Sequence, residues 1–218
     1  MEELINEIVK DITNLSGKHN FQTIFSDWVT MMAIAIQNSC SKHNKIWKAR
    51  EEKYLSIVKK YTQEEIKNIF SMYPKLVNAF EYEFSDYLGE IFMRLATAAN
   101  KKIMGQCFTP FSISLSATKI SCDNIKEGKP FNIYEPTCGS GGMVIASARV
   151  LLDKHINYQK YMKVIAQDLD TLCVYMCYVQ LSIIGVNAMV VQGDTLEEPY
   201  TEIPEDRVFR TPKNLRAF

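Results

Sequence analysis

The sequence predicts an α/β protein: a helical N-terminal domain followed by a parallel sheet sandwiched by helices. Helical periodicity runs from Glu2 to about Asn100, and after Gly105 short apolar runs alternate with helical patterns. A third observation marks the place of function. Glu135-Pro136-Thr137-Cys138-Gly139-Ser140-Gly141-Gly142-Met143 joins an apolar run to a helical pattern through a glycine turn.

In the N-terminal part, Leu4, Ile5, Ile8, Val9 and Ile12 recur at helical spacing, and Gly17 is a stop. Trp28 to Ile36 is the most apolar segment, about half as long as a membrane span requires, and reads as a helix buried in the helical domain. Thr62-Gln63-Glu64-Glu65 is a capping box, in which the Thr62 hydroxyl and Glu65 carboxylate each satisfy an orphan N–H. The helix it starts carries Ile66, Ile69 and Phe70 before Pro74, which is expected to interrupt or kink it. Another helix is expected over Tyr87–Ala99, burying Leu88, Ile91, Phe92 and Leu95. Roughly four to six helices make a bundle-like domain over residues 1–104.

Phe108-Thr109-Pro110 breaks the pattern, and Ile113 to Ile125 resumes it as a helix. Then follow a strand at Phe131–Tyr134, a helix at Met143–Leu152 and a strand at Val164–Ala166 ending in Gln167-Asp168. A helix at Thr171–Ile184, closed by Gly185, leads to a strand at Met189–Val191 ending in Gly193-Asp194. Continuous apolar strands alternating with helices signal a parallel sheet covered on both faces. The sheet domain is assigned to residues 105–196 and a C-terminal tail to 197–218.

Composition narrows the function classes. The 218 residues suit one ordinary domain plus a smaller one. Lys and Arg number 25, as do Asp and Glu, so there is no global basic field and nucleic-acid contact must rest on a local patch. Lys42 to Lys60 and Arg207 to Arg216 are such patches; the first also reads as the solvated face of a helix, and the second as folding back on the acidic run Glu197 to Asp206. Six cysteines without framework spacing suggest reduced thiols and a cytoplasmic protein. The N-terminus is acidic and amphipathic rather than signal-like, and no membrane partner is expected. Cys173 and Cys177 have the spacing of half a metal site, but His19, His43 and His155 lack ligand spacing, so buried cysteines are the preferred reading.

All three strands end at the same edge of a parallel sheet, where open α/β sheets bind ligands. Glycines let a ligand approach the main chain, and the N–H groups of the helix that follows face an anion. A glycine turn can also serve only to pack a helix on a sheet. The later strand ends argue for more. Asp168 stands at a place and spacing that suit the paired hydroxyls of a ribose, and Asp194 could accept from an exocyclic adenine amine. Asp170 is read as a helix N-cap. An adenosine-containing cofactor is the natural ligand.

Phe108-Thr109-Pro110, Glu135 to Gly142, Gln167-Asp168 and Gly193-Asp194-Thr195 resemble the S-adenosylmethionine-binding motifs of adenine-N6 DNA methyltransferases, most closely the modification-subunit branch of type I restriction systems. Gly105-Gln106-Cys107-Phe108-Thr109-Pro110 and Asp86-Tyr87-Leu88-Gly89-Glu90 also fit that branch, and the resemblance covers roughly residues 85 to 196. It implies a partial Rossmann-like sheet with S-adenosylmethionine as cofactor and no metal. It places Phe108, Thr109 and Pro110 at the methionine end, where Glu135, Thr137, Gly139, Ser140, Gly141 and Gly142 hold the methionine moiety by side chain and backbone. Asp168 takes the ribose, with Leu169 beside it, and Asp194 the adenine. The cofactor's amino group suits the Glu135 carboxylate, and its carboxylate suits helix N–H groups.

The family holds its target adenine with an Asn/Asp-Pro-Pro-Tyr/Phe tetrapeptide after the fourth strand. This sequence has no Pro-Pro or Asn-Pro pair, and the residues after Asp194 are too few for the remaining strands. The resemblance therefore implies a methyltransferase shortened before its catalytic motif, with no catalytic residue assigned, binding DNA by kinship but inactive as an isolated chain. The alternative is a remnant acting as an interaction or anti-restriction protein, and a weaker reading is a small-molecule or RNA methyltransferase. In the family's strand order the first strand would be an exposed apolar edge. The tail, a second copy in a homodimer, or a partner methylase or specificity subunit should cover it.

Overall fold

The computed structural model describes residues 1–17, 19–41, 44–98 and 107–215. They form two units, one of Met1–Glu83 and Tyr87–Cys107, the other of Phe84–Asp86 and Phe108–Phe218.

The first unit holds α1 (Glu2–Leu15), α2 (Phe21–Cys40), α3 (Lys45–Val58), α4 (Gln63–Tyr82) and α5 (Tyr87–Ala98). Ile5, Ile8 and Ile12 of α1 are buried, and α2 buries Ile24, Phe25, Trp28, Val29, Ala33 and Ile34. The capping box of α4 forms in both directions. Pro74 does not end that helix, which runs on to Tyr82. An interior proline costs about 3 kcal/mol, but Ile69 and Met72 before it and Leu76, Ala79 and Phe80 after it are all buried, and that burial outweighs the local loss. Leu88, Ile91, Phe92 and Leu95 of α5 are buried as expected, while Ala99 lies outside the described residues. Lys45, Lys48, Lys53, Lys59 and Lys60 are exposed, Arg50 is partly buried, and Lys60 pairs with Asp27 at 3.0 Å. Lys42, His43, Gly105 and Gln106 lie outside the described residues. No helix among the described residues is long and apolar enough to cross a membrane.

The second unit contains α6 (Phe111–Ser121), β1 (Phe131–Glu135), α7 (Gly142–Asp153), α8 (Tyr158–Tyr161), β2 (Met162–Asp168), α9 (Thr171–Ile183), β3 (Asn187–Gln192), β4 (Val208–Arg210) and α10 (Pro212–Leu215). The sheet runs β1-β2-β3-β4. The first three strands are parallel, with Glu135 opposite Ala166 and Asp168 opposite Gln192, so their C-terminal ends share one edge. Val164, Ala166, Ala188 and Val190 form the buried centre of the sheet, and α7 and α9 contribute Val144, Ile145, Leu151, Val174, Met176 and Val179 to the core. The helix expected over Ile113–Ile125 ends earlier, at Ser121, with Cys122 as its C-cap.

The residues expected to be a tail are partly sheet. Val208–Arg210 runs antiparallel on the outer edge of β3, with Phe209 opposite Val190. Thr211 is fully buried, and its hydroxyl accepts from the Ala188 N–H at 3.1 Å and donates to the Val186 carbonyl at 2.6 Å. Arg207 pairs with Glu198, and Arg210 with Glu205, so the basic run does fold back on the acidic one. The described tail therefore adds a strand to the β3 edge, and on β1 it places only the Tyr200 ring, 5.7 Å from that of Tyr134. Among the described residues β1 has no strand on its outer side, and Tyr134 is exposed.

Candidate functional site

The turn after β1 needs its glycines for stated reasons. Gly139 and Gly141 have φ of +52° and +98°, a region that side chains other than glycine rarely adopt. A Cβ on Gly141 would stand 3.1 Å from Cys177 Sγ and 3.3 Å from Cys177 Cα, so the turn is seated directly on α9. Gly141 N-caps α7 without a side-chain cap. The Cys138 N–H donates to the Gln167 carbonyl at 2.9 Å, and the Gly141 N–H to the Cys138 carbonyl at 2.8 Å.

Asp168, half-buried at the end of β2, clasps this turn. Its Oδ2 accepts from the Gly139 N–H at 2.8 Å and its Oδ1 from the Asp170 N–H at 2.9 Å. Asp170 itself N-caps α9 by accepting from the Leu172 N–H, which is the role its sequence position suggested. The end of β3 joins the others: the Gly193 N–H donates to the Asp168 carbonyl at 2.9 Å, and the Thr195 hydroxyl to the Pro136 carbonyl. Asp194 accepts from the Leu196 N–H at 2.9 Å. The three strand ends thus form one hydrogen-bonded ensemble.

Glu135 is half-buried at the end of β1. Burial pushes its carboxyl above the usual range, the Thr137 N–H opposes this, and the Asp168 charge adds to it. A cation placed here would relieve both unfavourable effects. The Phe108 ring is the nearest side chain to the space above Gly139, 3.4 Å from where a Cβ would stand, and brings the Phe-Thr-Pro segment to the turn. Thr109, Pro110 and Thr137 are exposed, as is Leu169 at 66%. The sequence-derived positions therefore bring together a glycine-rich turn, the half-buried carboxylates of Glu135, Asp168 and Asp194, and an exposed apolar side chain beside Asp168.

Ser140 departs from the simple picture. It is 2% exposed, and its hydroxyl donates inward to the buried Asp86. Gln180 of α9 donates to both Asp86 and the Ser140 carbonyl. Sequence reasoning did not single out Gln180, although one amide in an otherwise apolar helix was a usable signal. Cys138, Cys173 and Cys177 are buried together. A hydrogen bond with Cys177 and burial hold the Cys138 thiol well above its usual value, and burial followed by the Asp168 charge raises Cys173. Such thiols are protonated and inert. Among the described residues no group of three His, Cys, Asp or Glu side chains is placed to hold a metal.

The chain superposes on solved structures. A Listeria monocytogenes protein assigned to the class I S-adenosylmethionine-dependent methyltransferases superposes with a TM-score of 0.51 at 13% identity, over 92% of this chain and 56% of that one. The methyltransferase subunit of a Streptococcus thermophilus type I restriction-modification system gives 0.48 at 13% identity, over 91% and 59%. The chain thus spans just over half the length of either. No curated protein matches it. The family model described as N-6 DNA Methylase matches residues 81–212, a stretch that takes in the Asp86 segment, the glycine turn and all three strand ends. On that match, which covers more than half of its length, the chain belongs to the N-6 DNA methylase family.

Proposed function

We propose that the chain binds S-adenosylmethionine as the cofactor-holding part of an adenine-N6 DNA methyltransferase of the restriction-modification type. The observation that carries this reading is the clasp between Asp168 and Gly139, which fixes a ribose-competent carboxylate against a glycine turn. Glu135 receives the cofactor's ammonium, and the backbone of Gly139 to Gly142 lines its methionine moiety. Phe108, Thr109 and Pro110 border that end, with Thr137 beside them. Each Asp168 oxygen has lone-pair capacity left after its backbone bond and accepts from a ribose hydroxyl. Leu169 packs beside the adenosine, and Asp194 accepts from the adenine amine. When bound, the cofactor supplies an electrophilic methyl group on a sulfonium.

The groups that would hold an adenine acceptor are not among these residues, since the sequence contains no Asn-Pro-Pro or Asp-Pro-Pro. DNA methylation by this chain is therefore read as requiring residues from elsewhere. The outer edge of β1 supports a protein partner, either a second copy or a methylase or specificity subunit, because no strand among the described residues pairs with it. The same edge supports the second reading, an interaction or anti-restriction protein that keeps the fold without using the cofactor.

Calorimetric titration with S-adenosylmethionine separates the two. Binding is expected for the native chain and should weaken about a hundredfold or more in Asp168→Ala, which removes charge-assisted hydrogen bonds. A folded native chain that gives no heat of binding would remove the first reading and leave the second.

A further inference from the structure

Beneath the glycine turn lies a buried polar cluster that no ligand reaches. Asp86 is 5% exposed, Ser140 2% and Gln180 0%. One Asp86 oxygen accepts from the Ser140 hydroxyl, and the other accepts from Gln180 Nε2 at 2.8 Å. Gln180 Nε2 also donates to the Ser140 carbonyl, at 2.7 Å. The same carboxylate lies against the first residue of α7: a Cβ on Gly142 would stand 3.3 Å from Asp86 Oδ2. Asp86 comes from the short segment Phe84–Asp86, which belongs to this unit. The Phe84 ring packs edge-on against Tyr158 at 5.8 Å and anchors that segment.

A carboxylate is costly to bury, and well-packed apolar side chains would hold a turn on a helix at least as firmly. What the carboxylate adds is direction and charge. Ser140 is gripped by its hydroxyl and by its carbonyl, between two glycines of positive φ, so the peptides of the turn have a single orientation. A negative charge at the start of α7 also complements the positive end of the helix.

The geometry points to Asp86 as a positioning residue for the methionine half of the cofactor, acting through Ser140 to set the turn. This inference rests on the cofactor reading above. It separates the ligand into two halves: the methionine end depends on Asp86, whereas the adenosine end depends on Asp168 and Asp194.

The test titrates the full chain and its Asp86→Asn and Ser140→Ala variants with S-adenosylmethionine and with 5′-methylthioadenosine, which lacks the amino-acid portion and the positive charge. A thermal melt accompanies each titration. Asp86→Asn is expected to weaken S-adenosylmethionine about ten- to a hundredfold, because its amide offers one acceptor where Ser140 and Gln180 both donate. The same variant should weaken 5′-methylthioadenosine by less than about threefold. Ser140→Ala keeps the charge and should show the same split to a smaller degree. If Asp86→Asn fails to fold, the split in Ser140→Ala decides. Equal losses for both ligands would mark a merely structural role and overturn the inference, as would unchanged binding of both. A native chain that binds neither ligand overturns the inference together with the reading beneath it.

Discussion

The turn after β1 and the turn after β3 meet at the same edge of the sheet but are held by different forces. The first is fixed from inside, by Asp86, Ser140, Gln180 and Cys177, all less than a tenth exposed. The second is also held from inside, where the fully buried Gln167 donates to the Glu198 carbonyl at 2.9 Å, but it adds a contact at the surface. The Glu198 carboxylate accepts from the Asp194 N–H at 3.1 Å and pairs with Arg207, and both of those side chains are about a third exposed. Buried hydrogen bonds are expensive to break because each lost partner leaves a desolvated group behind. Surface ion pairs are cheap to break because water and salt replace them. The cradle therefore has a rigid side, assigned to methionine, and a side that is adjustable at its surface, assigned to adenine.

The sharpest way to break this contrast is Gly141→Ala. The substitution puts a side chain at φ +98° and a methyl 3.1 Å from Cys177 Sγ, with Cys177 Cα behind it. A non-glycine residue in that region costs about 1–3 kcal/mol, and overpacking adds about 1–3 kcal/mol more. Chemical denaturation should show a loss of about 2–6 kcal/mol, with S-adenosylmethionine binding abolished. A stable variant that still binds would mean that the turn yields and that the rigid side is not rigid.

The contrast also explains what the sequence revealed. The strands, the glycine turn, the Asp170 cap and the Thr62 capping box rest on contacts a few residues apart or on continuous apolar runs, and all appear where expected. The Asp86–Gln180 bond joins residues 94 positions apart, and no local pattern announces it. β4 is only three residues long, Val208–Arg210, and is flanked by charges, so its strand character comes from the β3 edge it completes and not from its own composition. Pro74 does not stop α4 for the same reason, because tertiary burial overrode a local penalty.

Glu135 gives an intermediate test, through protons. Its folded pKa lies above the usual 4.5 because of burial, against the Thr137 N–H and with the Asp168 charge adding to it. For a raised acid the folded chain holds the proton more tightly than the unfolded chain. This group's effect on stability is therefore relieved below the raised pKa, and stability falls as pH rises through the window above 4.5. A cationic ligand reverses the balance, so binding should expel a proton within that window. Affinity should then decline as pH falls, by at most about tenfold per pH unit for one linked proton. Titrations in buffers of different ionisation enthalpy would measure the release, and Glu135→Gln should abolish it. Binding without proton release in the native chain would place the ligand's cation elsewhere.

Arg207→Ala tests the adjustable side and should have the smallest effect. In the native chain the hydrogen bond from Arg207, then the Asp194 N–H, hold the Glu198 carboxyl down at about 2. A depressed acid contributes stability above its unfolded value, and that contribution is lost as pH falls from 4.5 toward 2. Removing Arg207 should raise the Glu198 pKa toward 4.5, which carboxyl-carbon NMR titration would read directly. The stability gap between native and variant chains should close over that same acidic window. Cofactor affinity near neutral pH should change by no more than about fivefold, the scale of an exposed ion pair, because the Asp194 N–H still reaches Glu198 and β4 still completes β3. A loss as large as that from Gly141→Ala would show that the outer ion pair, and not the buried cluster, sets the shape of the cradle.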